Sequence, residues 1–186
     1  MKYFVALGSN LGDPLANLVE ALRRMPGLVR SSSIFVTSPV EMEPGAAPVL
    51  NAVAEVDFDE GAHALWAELS RIEREMGRER PYRNAPRTMD LDIILGEGGE
   101  VRDEVLTIPH PRAAGRLFVL APLAELDIEA ARQVAGFGFD PGRIGTDEYS
   151  ERFEGQVAEV LVPAREVALR LRIASHGEGS AVAQGE

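Results

Sequence analysis

Two stretches of the chain carry apolar residues at helical spacing, and each is enclosed by short apolar runs of strand type; that order leaves few folds open. Leu15, Leu18, Leu22 and Met25 form the first stripe, with Asp13 placed as an N-cap, Pro14 at the first helical position and Pro26-Gly27 as a stop. Leu65, Trp66, Leu69, Ile72 and Met76 give a second helix one apolar face; it starts near Asp59 and ends at Gly77. Tyr3 to Leu7, Val29 to Thr37, Val49 to Phe58 and Leu91 to Leu95 read as strands. The order is strand, helix, strand, strand, helix, strand. This split βαβ pattern predicts an α+β fold, a ferredoxin-like βαββαβ core whose antiparallel sheet has helices packed on one face. A third helix is predicted over Leu117 to Leu126, reached through Pro109-His110-Pro111.

The pattern accounts for residues 1–126. Beyond it the text changes: Gly136 to Gly142 is turn-rich, and Glu154 to Arg172 regains some apolar periodicity through Val157, Val160, Leu161, Val167 and Leu171. We expect a domain over residues 1–126, an extension over 127–175 packed on or beside it, and a disordered tail over 176–186 of Gly, Ser, Ala and Glu. Having no cysteine, the chain can form neither a disulfide framework nor a zinc-thiolate site nor a cysteine nucleophile. A formal net charge of -11 argues against a nucleic-acid partner and against adhesion to anionic lipid. The apolar run at Tyr3 to Leu7 is too short for a signal peptide, and no stretch approaches the roughly 18 apolar residues of a membrane span. A cytoplasmic protein is expected.

Asp90-Leu91-Asp92-Ile93-Ile94-Leu95 is the strongest chemical feature. Alternate strand residues share a face, so Asp90 and Asp92 stand together, roughly 6–7 Å apart by the rise of a strand. Paired carboxylates on an apolar strand repel each other, and a hard divalent cation removes that cost; two exposed aspartates at a strand end are the plainer alternative. Arg78, Arg80, Arg83 and Arg87 crowd the loop just before, in a chain that is otherwise acidic. Guanidinium groups suit phosphate oxygens, although a solvated loop would look the same. His110 is set between prolines, and Arg116 stands at a helix start, where a cation opposes the dipole and a phosphate would suit it. Phe118 fits core packing equally well. Gly8 to Pro14 follows a strand and precedes a helix like a phosphate loop, but it also fits a tight turn plus a cap.

Taken together, Ala6-Leu7-Gly8-Ser9-Asn10-Leu11-Gly12, Thr37-Ser38-Pro39-Val40, Leu50-Asn51-Ala52-Val53, Arg71-Ile72-Glu73, Gly77-Arg78, Pro86-Arg87-Thr88-Met89-Asp90-Leu91-Asp92-Ile93 and Leu106-Thr107-Ile108-Pro109-His110-Pro111-Arg112 closely resemble the 6-hydroxymethyl-7,8-dihydropterin pyrophosphokinase family. The resemblance covers residues 1 to about 126, and the Pro-Arg-Thr-x-Asp-Leu-Asp-Ile run is its most specific part. It implies transfer of pyrophosphate from ATP to a pterin hydroxymethyl group, with AMP leaving, in folate synthesis. It implies that Asp90 and Asp92 hold two magnesium ions (Mg2+) against the ATP phosphates, with Arg78 and Arg87 as the catalytic loop arginines. On the ATP side it places Glu73, Arg80, Ile93, Thr107, His110 and Arg116. On the pterin side it places Thr37, Val40, Asn51 and Phe118, the last as a stacking ring. Ser38 to Pro48 and Arg78 to Thr88 would be its moving loops. Departures from the family are Val49 where an aromatic is common, Asn84 where a tryptophan is common, and the long extension. A monomer is expected.

Two rivals stand against this. A polymerase-β-type nucleotidyltransferase also joins a Gly-Ser turn to an Asp-x-Asp strand, but there the two lie roughly a dozen residues apart, whereas Ser9 and Asp90 are separated by most of the domain. A non-catalytic nucleotide- or pterin-binding domain on the same fold is the other; such a module has no need of Asp90 and Asp92.

Overall fold

The computed structural model describes residues 1–37, 47–77, 88–144, 146–153 and 156–177. Strand β1 (Lys2–Ser9) is central. It pairs antiparallel with β4 (Val49–Asp57) on one side and β5 (Asp90–Gly96) on the other. β2 (Leu28–Ser31) and β3 (Ile34–Thr37) follow one another along the outer edge of β4, again antiparallel. With α1 (Pro14–Arg24) and α2 (Ala62–Glu75) as the crossovers, this is the ferredoxin-like core read from the sequence.

The single strand expected over Val29 to Thr37 is two strands. Ser31 faces Ala54 but Phe35 faces Asn51, so the register slips by one residue between them. Ser32 fills the break: its N–H donates to the Val53 carbonyl at 2.8 Å, and its hydroxyl accepts the Val53 N–H at 2.9 Å. A side-chain oxygen thus replaces one rung of the ladder, as at a bulge.

Side chains alternate across the sheet into two cores. Val5, Leu7, Ala52, Ala54, Val56, Leu91 and Ile93 meet Leu18, Ala21 and Leu22 of α1 and Leu65, Leu69 and Ile72 of α2. Asp13 caps α1 as expected, accepting from the Ala16 N–H at 3.0 Å. Gly27 closes the turn after α1 at φ 63°, where a Cβ would stand 1.9 Å from the Asp57 carbonyl oxygen, so only glycine fits. Trp66 does not join the packed face of α2: it is 41% exposed, because it follows Leu65 by 100° around the helix while Leu65, Leu69 and Ile72 take the inward stripe.

Helices were expected on one face, and α1 and α2 obey. The opposite face is covered as well. Phe4, Phe35, Val53 and Ile94 pack against α3 (Leu117–Leu126) and α4 (Ile128–Ala135), together with Phe139, Tyr149 and Phe153. Apolar residues at alternate positions on that face require a cover, and part of it comes from beyond residue 126. β8 (Ala158–Val162) pairs antiparallel with β3 and becomes a further strand of the sheet. α6 (Ala164–Gly177) then buries Val167 in the first core. A small ribbon of β6 (Val101–Arg102) and β7 (Thr107–Ile108) and the short α5 (Asp147–Arg152) complete the fold. Residues 178–186, most of the expected tail, lie outside the described residues, as do 38–46 and 78–87 of the two expected moving loops. Among the described residues no helix is long and apolar enough to cross a membrane.

Candidate active site

One row of residues crosses three strands on the face that α3 covers only in part. Gly8 of β1 is paired with Asn51 of β4 on one side and with Asp90 of β5 on the other. Ala6, two residues back, stands opposite Asp92. Opposed residues in an antiparallel pair share a face, so the two carboxylates and the amide rise from the same surface. Neighbouring strands lie about 4.8 Å apart, which puts Asn51 roughly 10 Å from the carboxylates.

At the β4 end, Asn51 is 5% exposed and fixed: its amide nitrogen donates to the Thr37 hydroxyl at 2.7 Å. Thr37 in turn lies opposite Val49 and donates to its carbonyl at 3.3 Å. The Asn51 amide oxygen lies over Gly8, where a Cβ would stand only 3.0 Å from it. Among the described residues no donor hydrogen-bonds to that oxygen.

At the β5 end, Asp90 and Asp92 are half-buried, while Leu91 and Ile93 between and beyond them point into the opposite core. His110 faces them. Its Nε2 is 3.9 Å from the Asp92 carboxylate, and its Nδ1 accepts the Arg112 N–H at 3.3 Å. That bond leaves the proton of the neutral ring on Nε2, toward Asp92. Burial pulls the His110 pKa below its ordinary value; Arg116 and Arg112 push the same way, and Asp92 and Asp90 oppose them. The His110 N–H donates to the Ile94 carbonyl at 3.0 Å, tying the loop after the cis Ile108–Pro109 bond to β5. Arg116 begins α3 and sets its guanidinium over the Phe118 ring, 5.3 Å from the centroid.

The remaining expected positions divide. Glu73 is buried on α2 and takes the Leu91 N–H on its carboxylate at 2.7 Å, so it grips the strand between the two aspartates. Ile93 has its side chain in the core, so only its main chain is open to a ligand. Thr107 is half-buried on β7. Val40, Arg78, Arg80, Arg83, Asn84 and Arg87 lie outside the described residues. Gly8 and Ser9, expected to begin a turn, are the last two residues of β1, paired with Asn51 and Leu50 of β4, and Ser9 serves the fold: its hydroxyl donates to the Thr88 carbonyl at 2.6 Å, and Asn17 donates to Ser9 and to the Leu11 carbonyl. It fastens β1 to the start of β5.

A family model for 7,8-dihydro-6-hydroxymethylpterin-pyrophosphokinase (HPPK) matches residues 4–128. The chain belongs to the HPPK family. It is 41% identical over 128 residues to the 2-amino-4-hydroxy-6-hydroxymethyldihydropteridine pyrophosphokinase of Bacillus subtilis, a match over 66% of this chain and 76% of that one. The protein of the same name from Haemophilus influenzae is 40% identical over 129 residues, 66% of this chain and 79% of that one. The mitochondrial folate synthesis bifunctional protein of Pisum sativum is 41% identical over 126 residues, and there this chain spans only 24% of the relative. The fold matches a solved HPPK-DHPS chain in complex with substrates at a TM-score of 0.58 and 13% identity, over 82% of this chain and 45% of that one. The HPPK match ends at residue 128, yet β8 belongs to the same sheet as the family core.

The donor set at Asp90 and Asp92 suits magnesium. It is two carboxylate groups with hard oxygen donors on one strand, and among the described residues no cluster of three or more His, Asp or Glu side chains could hold an ion. Paired carboxylates together with phosphate oxygens are how magnesium commonly binds with a nucleotide.

Proposed function

We propose that this chain transfers pyrophosphate from ATP to the hydroxymethyl oxygen of 6-hydroxymethyl-7,8-dihydropterin and releases AMP, as a step of folate biosynthesis. The observation that carries the reading is the row Asn51–Gly8–Asp90/Asp92: an amide held for a flat polar ring at one end and paired carboxylates at the other, with no side chain between. A bicyclic ring with a short arm spans such a row. Asn51 would read the ring edge through its open amide oxygen, with Thr37 fixing the amide, and Phe118 would stack on the ring face.

Asp90 and Asp92 would hold magnesium, which when bound with ATP supplies neutralisation of phosphate charge. The hydroxymethyl oxygen forms its bond to the β-phosphorus and releases its proton to solvent. The bond from that phosphorus to the α-phosphate oxygen breaks, and its electron pair leaves with AMP. His110, neutral and with its proton on Nε2, would donate a hydrogen bond to a phosphate oxygen without adding a charge beside the aspartates. Arg116 would add a fixed cation at the start of α3, where negative charge is favoured. From the family resemblance, Arg78, Arg80 and Arg87 complete the cationic side, Glu73, Ile93 and Thr107 border the nucleotide, and Val40 borders the pterin. A cytoplasmic location and a monomeric state belong to the same reading; cell fractionation and sedimentation test them.

The deciding experiment is AMP release from ATP with magnesium, with and without the pterin. Pterin-dependent AMP is the expected result. ATP binding with no pterin-dependent AMP would refute the reaction and favour a binding module on this fold.

A further inference from the structure

The segment beyond the HPPK match reaches back into the site at two points. The first is Gln156. Its side-chain oxygen accepts the Leu117 N–H at 3.0 Å, and its side-chain nitrogen donates to the Gly115 carbonyl at 3.0 Å. The amide therefore brackets Arg116 on both sides of the chain. Leu117 opens α3, and its N–H is among those that a helix leaves without an internal partner. Arg116, the N-cap residue, supplies no capping side-chain bond, so Gln156 provides the cap from 39 residues away. The second point is β8, whose Ala158 pairs with Thr37 on the same sheet face and packs into the core beneath α3.

Gln156 is itself held. Its backbone N–H donates to the Phe153 carbonyl at 2.9 Å, and Phe153 is 1% exposed among Phe137, Phe139 and Tyr149. Tyr149 accepts the Asp140 N–H on its hydroxyl at 2.6 Å. An aromatic cluster closed in this way is a rigid base. The extension thus holds the α3 start, which bears Arg116 and Phe118, and the strand end that bears Thr37.

Resting on the pyrophosphoryl-transfer reading, we propose that Gln156 is a positioning residue of this enzyme: it fixes the start of α3 so that Phe118 meets the pterin ring and Arg116 meets the phosphates. The extension is thereby part of the working site. Pre-set geometry matters because a group that must be ordered by the ligand weakens binding by the ordering it requires.

The test uses the full chain with Gln156→Ala and Gln156→Glu. The bond to Leu117 is part-buried and the bond to Gly115 is exposed. Glu keeps the first, at a helix start that favours a carboxylate, and water can replace the second. Wild type is assayed first for pterin-dependent AMP; if it makes none, the reaction assigned above fails, and this proposal with it. Given an active wild type, Gln156→Ala is expected to raise the pterin KM about tenfold and to speed amide exchange at Leu117, while Gln156→Glu stays within about threefold of wild type for KM. Both variants are compared well below their melting midpoints, where a purely structural loss leaves KM unchanged. A Gln156→Ala enzyme with KM and kcat within twofold of wild type overturns the proposal. So does a Gln156→Glu enzyme as impaired as Gln156→Ala.

Discussion

Replacing Glu73 by Ala should loosen the strand that carries the two aspartates before any ligand is involved. Glu73 is 7% exposed, and its carboxylate accepts the Leu91 N–H in a buried bond of 2.7 Å. Leu91 lies between Asp90 and Asp92; it stands opposite Leu7 of β1, and its N–H turns to the outer edge of β5, where Glu73 takes it. A hydrogen bond to a charged acceptor contributes about 1.5–3 kcal/mol, and truncation leaves a buried N–H without that partner. We take about 2 kcal/mol as the expected loss, roughly a 30-fold change in the folding constant. For a chain of 186 residues that is a fall in Tm of roughly 4–8 °C. Glu73→Gln keeps an oxygen at the same reach and should lose about 1 kcal/mol or less. The assay is urea unfolding followed by circular dichroism, with neither nucleotide nor magnesium present. If Glu73→Ala lies within about 0.5 kcal/mol of wild type, or is more stable, the carboxylate is buried for a ligand and not for the strand, and the reasoning fails.

Asp92→Ala should reduce AMP formation below about a tenth of wild type with the fold intact by circular dichroism, since the side chain is half-exposed and its proposed role is to hold magnesium; a variant that keeps more activity sinks that role. Val49→Tyr should tighten pterin binding by roughly 0.5–1.5 kcal/mol, because Val49 stands opposite Thr37 on the site face, where a ring could stack; an unchanged dissociation constant would mean that another ring already serves. Asp127→Ala should cost about 1 kcal/mol by removing the cap of α4, a bond of 3.0 Å from the Ala130 N–H. That N–H, chiefly, also lowers the Asp127 pKa, with the Lys2 charge helping. A carboxylate with a lowered pKa stabilises fully above its unfolded value, near 3.9, and loses that contribution as pH falls through the lower folded value. The stability gap between wild type and Asp127→Ala should therefore hold at neutral pH and close in acid; a gap unchanged down to about pH 2 would refute the capping account.

Much of the site was legible because its signals are local. Asp90 and Asp92 share a face by strand period alone, and Asp13-Pro14 starts α1 as caps do. The arginine-rich loop and Val40 were equally visible as text, but they lie outside the described residues. Three features had no local signal. The family resemblance placed Glu73 on the ATP side, but only the packing of α2 against β5 shows its carboxylate on the Leu91 N–H. Ser32 reads as part of a continuous strand, and only the slipped register against β4 gives its hydroxyl a rung to replace. Gln156 sits in a stretch of weak periodicity.

The sequence by itself determined the order of the core elements up to α3, the face each core strand residue takes and, through its motifs, the family. These follow from periods of 2 and 3.6 residues and from caps and turns, all of which act within a few positions. Only the tertiary structure decided that a second helical layer covers the other face, that β8 joins the sheet beside Thr37, and that Gln156 brackets Arg116. Those contacts join residues far apart along the chain. A polar side chain satisfied at such range leaves no period to read, because its partner is set by where the elements pack and not by its neighbours in sequence.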